Sequence, residues 1–357
     1  MPLIPSATKK KALTRPLGVV EGFYGKAWSW QQRIDFADFL LRSNLNTFVY
    51  APKSDPFLRK RWQEDWPRAE AVELAAVARH YADRNLSWGM GLSPYLLYQR
   101  YGAAEKRALR AKVARLEAFG AGLLGLLFDD MPGNVDALAE RQLEIISDVL
   151  AWSRWQRVIV CPTYYSLDPV LQKHFGTMPE NYWETLGQML PQTVDVFWTG
   201  AQVCSRYISV QHLKEIAALL QRKPVLWDNY PVNDGAAMVD FLHMAPLSGR
   251  PPEIANYTSG HLCNPMNQAL LSRYPLGGLA ALYRGHAATL SELYSKPLAR
   301  LLERDLNQFQ LQGRAVLESS VRQQMIAEYT ACDDIAAAEV VAWLRGEYAF
   351  DPNCLTG

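Results

Sequence analysis

Eight short apolar runs recur between residues 18 and 265, and the stretches that separate them carry a different periodicity. The runs are GVVEGF (18–23), NTFVYAP (46–52), LSWGMGLSP (86–94), LLGLLFDD (123–130), VIVCPTYY (158–165), VDVFWTG (194–200), PVLWDNY (224–230) and SGHLCNP (259–265). Runs this apolar, without strict alternation, are what strands buried on both faces require, and such strands belong to parallel sheets covered by helices. Between them, segments such as WQQRIDFADFLLRSN, AEAVELAAVARHYADRN, EKRALRAKVARLEAF and VQHLKEIAALLQRK return an apolar residue every three or four positions, with charges on the other face. Eight strands alternating with helices predict an α/β chain folded as a (β/α)8 barrel. A doubly wound open sheet has the same periodicity and is the competing arrangement.

The barrel is expected over residues 17–290, after an N-terminal tail at 1–16. Beyond it, SKPLARLLERDLNQFQ, RAVLESSVRQQMIAEYT and DDIAAAEVVAWLRGEY predict a helical extension at 291–357, which could pack on the barrel or pair two copies as a homodimer. The chain balances 37 basic against 36 acidic side chains, and its one basic block is Lys9-Lys10-Lys11. That gives no electrostatic footprint for nucleic acid or a membrane surface, and favours a neutral substrate. Five widely spaced cysteines without a CxxC pair point to a reducing compartment and no zinc site. With neither a signal-peptide h-region nor 18 consecutive apolar residues, the chain is expected to be cytoplasmic.

Most of the polar or otherwise unusual residues stand at the C-terminal ends of the runs: Glu21, Gly22, Lys53, Asp55, Asp129, Asp130, Tyr165, Asp228, Asn229, Asp234 and Asn264. In a barrel those ends converge on one mouth, where the chemistry is assembled. Taken singly, each has a plain alternative as a helix cap, a turn or a core residue. The pair Asp333-Asp334, which precedes an Ala-rich helical stretch, is best read as a cap. Asp129-Asp130 differs, because it follows a buried strand and leads into Met-Pro-Gly-Asn. Adjacent side chains on a strand point to opposite faces, so both can reach one ligand only where the strand ends and the chain turns. Two close carboxylates push their pKa values apart, which suits a division into acid and base. A glycosidase that carries its own nucleophile usually holds its two carboxylates about 5 Å or more apart across the sugar, which neighbours in sequence find awkward.

The motifs GVVEGFYGKAW, NTFVYAPKSDP, LLFDDM, VCPTYY, FWTG, LWDNYPVND and CNPMNQ, in this order and spacing, resemble the catalytic domain of glycoside hydrolase family 84. That family contains retaining β-N-acetylglucosaminidases, among them the O-GlcNAcases and bacterial relatives labelled hyaluronidases. The resemblance covers roughly residues 17 to 290 and implies substrate-assisted catalysis, in which the sugar's 2-acetamido oxygen attacks the anomeric carbon and forms an oxazoline. The nucleophile then belongs to the substrate, and neighbouring aspartates are no longer awkward. By resemblance, Asp129 orients the acetamide and Asp130 is the acid and then the base. Tyr165 and Trp227 belong to the acetamide pocket, with Cys161 beside it and Asn229 also lining the site. Gly22 gives a backbone contact to the sugar, and Lys53, Asp234 and Asn264 bind its hydroxyls. The resemblance implies a GlcNAc-containing glycoside or glycoprotein as substrate, and neither metal nor organic cofactor.

Two positions depart from the pattern. Ser93-Pro94-Tyr95 stands where many relatives have Ser-Pro-Gly, so Tyr95 is expected to reshape the rim. Met131 replaces a common isoleucine at nearly equal volume. The rival readings are a non-catalytic GlcNAc-binding barrel, a hyaluronidase-type endo-hydrolase, and a metal-dependent hydrolase using Asp129, Asp130 and a histidine. The last is disfavoured because no histidine falls at the tip of a proposed strand, His261 lying inside the eighth run.

Overall fold

The structure, a computed structural model, describes residues 14–284 and 287–356. The Lys9-Lys10-Lys11 block, and with it most of the tail at 1–16, lies outside the described residues. One strand falls on each apolar run, to within one residue at its start: β1 Leu17–Glu21, β2 Thr47–Tyr50, β3 Ser87–Leu92, β4 Leu123–Leu127, β5 Arg157–Cys161, β6 Val194–Trp198, β7 Val225–Asp228 and β8 Gly260–Cys263. All pair in parallel and in sequence order, and β1 closes on β8 with Gly18 opposite Leu262. That closure rules out the doubly wound sheet.

Helices follow the strands as the spacing predicts: α1 Trp30–Arg42, α2 Arg68–Ala82, α3 Ala103–Ala118 and α4 Leu138–Trp152. Two short helices, α5 Pro169–Phe175 and α6 Tyr182–Met189, precede β6; α7 Val210–Leu219 precedes β7, and α8 Arg273–Arg284 follows β8. The start of α1 is fixed locally, since Ser29 and Gln32 exchange side chain-to-backbone bonds of 3.2 and 2.8 Å in a capping box. Its apolar stripe, Phe36, Ala37, Phe39 and Leu40, is buried. Glu21, at the tip of β1, faces this helix and receives Arg33 through bonds of 2.7 and 2.8 Å. The β7–β8 connection breaks the alternation, having only a 3-10 turn at Pro252–Asn256. Pro231, Pro246, Pro251 and Pro252, with Gly235 and Gly249, interrupt helical pairing there.

The GxG of β3 has a packing origin. A Cβ on Gly91 would lie 2.5 Å from that of Ala51. The barrel leaves no room for a side chain at that point.

After β8 come α9 Leu290–Leu293, α10 Lys296–Asn307, α11 Ser319–Thr330 and α12 Ile335–Leu344. Their apolar faces form a second cluster, including Leu298, Leu302, Phe309, Tyr329 and Trp343, with Leu242, Met266, Leu270 and Leu271 from the connections after β7 and β8. Asp334 caps α12 by accepting from the Ala336 N–H at 2.9 Å, as expected for the second acidic pair. Glu339 of α12 accepts from the N–H groups of Leu270 and Leu271 and from Gln32 of α1, at 2.8–3.1 Å. One carboxylate thereby joins the helical segment to two parts of the barrel.

Candidate active site

The C-terminal ends of the strands surround a recess of about 480 Å3, open to solvent. The ten residues that the family resemblance assigns to the site all line it: Gly22, Lys53, Asp129, Asp130, Cys161, Tyr165, Trp227, Asn229, Asp234 and Asn264. Among the other lining residues are Tyr24, Thr199, Val203, Cys204, Val232 and Met238, and two from the far end of the chain, Cys354 and Thr356.

The adjacent aspartates share this mouth because of the backbone. Strand β4 ends at Leu127, and Asp130 has φ +53°, in the left-handed region. A non-glycine residue adopts that region at a cost, and Asp and Asn bear it best. The turn brings both carboxyls to one recess.

Their surroundings differ. Asp129 pairs through Oδ2 with the Lys53 ammonium, while its Oδ1 is buried with no hydrogen-bond partner among the described residues. Asp130 has both oxygens occupied: Tyr24 donates its hydroxyl to Oδ2 at 2.9 Å and Tyr165 to Oδ1 at 3.0 Å. Lys53 stands 3.8 Å from Asp130 Oδ2, so one cation balances both carboxylates. Arg59 donates to the Asp130 carbonyl at 2.8 Å, which steadies the turn.

The other walls are similarly fixed. Trp227 donates Nε1–H to Asn229 Oδ1 at 3.0 Å, and Asn229 donates to the Val203 carbonyl at 2.9 Å. The indole therefore stands upright against Phe197, at 5.1 Å between ring centroids and 81° between planes. Gly22 is required beneath it, since a Cβ there would meet the Trp227 ring at 2.2 Å. Asn264 accepts from the Gly22 N–H and donates to Asn229, both at 3.1 Å. Asp234 accepts from the Tyr24 N–H at 2.6 Å; burial pushes its pKa up to about 6, against the opposing pull of that bond. Burial, reinforced by Asp129, holds the Cys161 thiol well above its ordinary range, so it lines the recess as a neutral group.

Tyr24 is the functional candidate that sequence reasoning passed over. It stood inside the quoted GFYG motif, three residues after a strand-tip glutamate, without a role assigned to it. Three other residues near the mouth do not line the recess. Tyr95 does not line the recess; it is half-buried, with the Arg59 guanidinium 5.2 Å from its ring centroid. Asp55 is engaged by Tyr50, Trp66 and the Phe57 N–H, each at 2.8 Å. Asp228 is held outside the recess by Arg250, at 2.6 and 2.7 Å, and by His261 at 2.9 Å.

With Cys263, Asp228 and His261 form the one cluster of potential metal ligands among the described residues. Arg250 already occupies both carboxylate oxygens, and a cation there would have to displace it. His286 lies outside the described residues, and no described histidine lines the recess.

A closed parallel barrel with its polar side chains gathered at the strand C-termini places the chain among barrel enzymes. The sequence model described as beta-N-acetylglucosaminidase matches residues 17–312. The chain belongs to that family of glycoside hydrolases, in agreement with the motif resemblance. It is 30% identical over 278 residues to the protein O-GlcNAcases of Mus musculus and Rattus norvegicus, covering 75% of this chain and 30% of each relative. The chain thus spans about a third of the length of these curated relatives. Among solved structures, a mutant of the Thermobaculum terrenum O-GlcNAc hydrolase aligns with TM-score 0.73 and 29% identity, over 92% of this chain and 80% of that one.

Proposed function

We propose that the protein is a retaining exo-β-N-acetylglucosaminidase, which removes terminal β-linked GlcNAc by substrate-assisted catalysis. The observation that carries this reading is the contrast between the two aspartates. Asp129 presents a buried acceptor with no donor among the described residues, which the acetamido N–H would satisfy, whereas Asp130 is held at both oxygens by tyrosine hydroxyls.

In the first step the acetamido carbonyl oxygen attacks the anomeric carbon as the bond to the leaving oxygen breaks. Asp129 accepts from the acetamido N–H and stabilises the positive charge that builds on the forming oxazoline. Asp130 gives its proton to the leaving oxygen. In the second step Asp130 takes a proton from water, whose oxygen attacks the anomeric carbon and reopens the ring with net retention. Trp227, Cys161 and Tyr165 enclose the acetamide; Lys53, Asp234, Asn264 and the Gly22 backbone hold the remaining sugar. The substrate class is a GlcNAc glycoside or O-GlcNAc-bearing protein. The five cysteines form no disulfide, which supports a reducing, cytoplasmic compartment.

The test compares an aryl β-N-acetylglucosaminide with the matching glucoside and with its N-trifluoroacetyl analogue. Cleavage of the first, none of the glucoside, and a steep fall on fluorination are expected, because fluorine withdraws density from the attacking oxygen. A rate indifferent to fluorination would assign the nucleophile to the enzyme instead.

A further inference from the structure

The end of the described chain leaves the helices. After α12 stops at Leu344, residues 345–356 run without further helix or strand and return to the mouth of the barrel. The Ala349 carbonyl packs 3.4 Å from the place a Cβ on Gly25 would take, next to Tyr24. Lys60 donates to Asn353 Oδ1 at 3.3 Å. Asp351 holds the turn together, its Oδ1 accepting from the Asn353 backbone and side-chain N–H groups and its carbonyl from the Cys354 N–H, at 2.7–2.9 Å. Cys354 is buried, and both it and Thr356 line the recess. Thr356 lines the recess together with Tyr165, whose hydroxyl donates to Asp130.

We propose that Phe350–Thr356 is a self-inhibitory strap, which seats a threonine in the aglycone side of the recess as a product-like ligand and must be displaced before substrate is cleaved. The proposal rests on the reading of Asp130 as proton donor to the leaving oxygen. On that reading, a threonine hydroxyl one tyrosine away from Asp130 lies where the oxygen of a serine or threonine aglycone departs. The hold is light: Pro352, Asn353 and Leu355 are exposed. Weak contacts nevertheless compete well from within the chain, because tethering gives a local concentration on the order of millimolar.

The experiment compares the full chain, the chain ended after Ala349, and full-length Thr356→Ala on an aryl β-N-acetylglucosaminide and a GlcNAc-threonine peptide. The shortened chain should show KM lowered roughly three- to tenfold at unchanged kcat, as loss of a tethered competitor whose local concentration is a few times its own dissociation constant would give. Thr356→Ala should fall between the two, and the synthetic peptide FDPNCLT should inhibit the shortened chain competitively. Equal KM values together with no inhibition by the peptide overturn the strap. If the shortened chain does not fold, Thr356→Ala decides alone.

Alkylation of Cys354, followed by mass spectrometry, gives a readout independent of activity. Thr356→Ala should accelerate it several-fold by freeing the segment, and an unchanged rate counts against the strap. A chain that hydrolyses neither glycoside yet shows this acceleration would lose the glycosidase reading and keep the seated segment.

Discussion

On the proposed mechanism Asp129 and Asp130, neighbours in the chain, have different tasks, and replacing each separates them. Asn is the cleaner replacement at 130, since it tolerates the left-handed backbone that alanine would strain by about 1 kcal/mol. Asp130→Asn should slow substrates with poor leaving groups by roughly 10²–10⁴-fold more than activated aryl glycosides, where protonation is not needed. Asp129→Ala should be damaging whatever the leaving group, and a common loss across leaving groups for both variants would undo the assignment. Asp234 gives a pH signature. With its pKa raised to about 6, the carboxylate proposed to hold a sugar hydroxyl is lost as pH falls through 6, and kcat/KM should fall with it. The stability effect has the opposite sense: a raised acid favours the folded state fully below its ordinary range near 4, and that contribution disappears as pH rises through 6. Asp234→Asn should therefore flatten the acid limb and raise Tm above pH 7, by at most roughly 3 kcal/mol of stability. An acid limb that survives the substitution would belong to another group. The aspartates were legible because two charges at the end of a buried run have few structural uses. Tyr24 was not legible, because nothing local says that a tyrosine just past a strand will bend back to meet a carboxylate more than a hundred residues away.

Glu339 belongs to the scale of elements, because it fastens α12 to the segment after β8 and to α1. Burial raises its pKa to about 7 against the bonds from Leu271 and Leu270, so its contribution to stability weakens as pH rises through 7. Glu339→Ala leaves two buried N–H groups without acceptors and should destabilise the fold by about 2–4 kcal/mol in urea titration. Glu339→Gln, which keeps one acceptor, should recover much of that and flatten the pH dependence near neutrality. A loss under about 0.5 kcal/mol for the alanine variant would mean that water replaces the carboxylate. Periodicity located all eight strands because burial on both faces leaves a continuous apolar signature. It overstated the alternation at the β7–β8 link, where four prolines prevent a helix and tertiary contacts, such as Arg250 to Asp228, set the path.

Over the whole molecule, the proposed exo-action makes the recess a pocket for a chain end. Lys53, Asp234 and Asn264 follow different strands around it, and a substituent on the hydroxyls they are proposed to hold would leave buried polar groups unpaired, at roughly 1–3 kcal/mol each. High-molecular-weight hyaluronan should keep its length during digestion while the aryl glycoside is consumed, and rapid internal scission would instead show an open cleft. The barrel was readable from pattern alone; the path of the last residues was not, since FDPNCLTG carries no periodicity and its position depends on what surrounds the mouth. That path has a practical side. Polypeptide appended after Thr356 would begin beside Asp130 and Tyr165, so a purification tag or fluorescent fusion there would crowd the site. Pro16, whose carbonyl accepts from the His261 N–H at 2.8 Å, lies at the opposite end of the strands. A partner joined directly at Thr14 would therefore start at the N-terminal ends of the strands, away from the chemistry, and the two fusions would give different kinetics from one and the same fold.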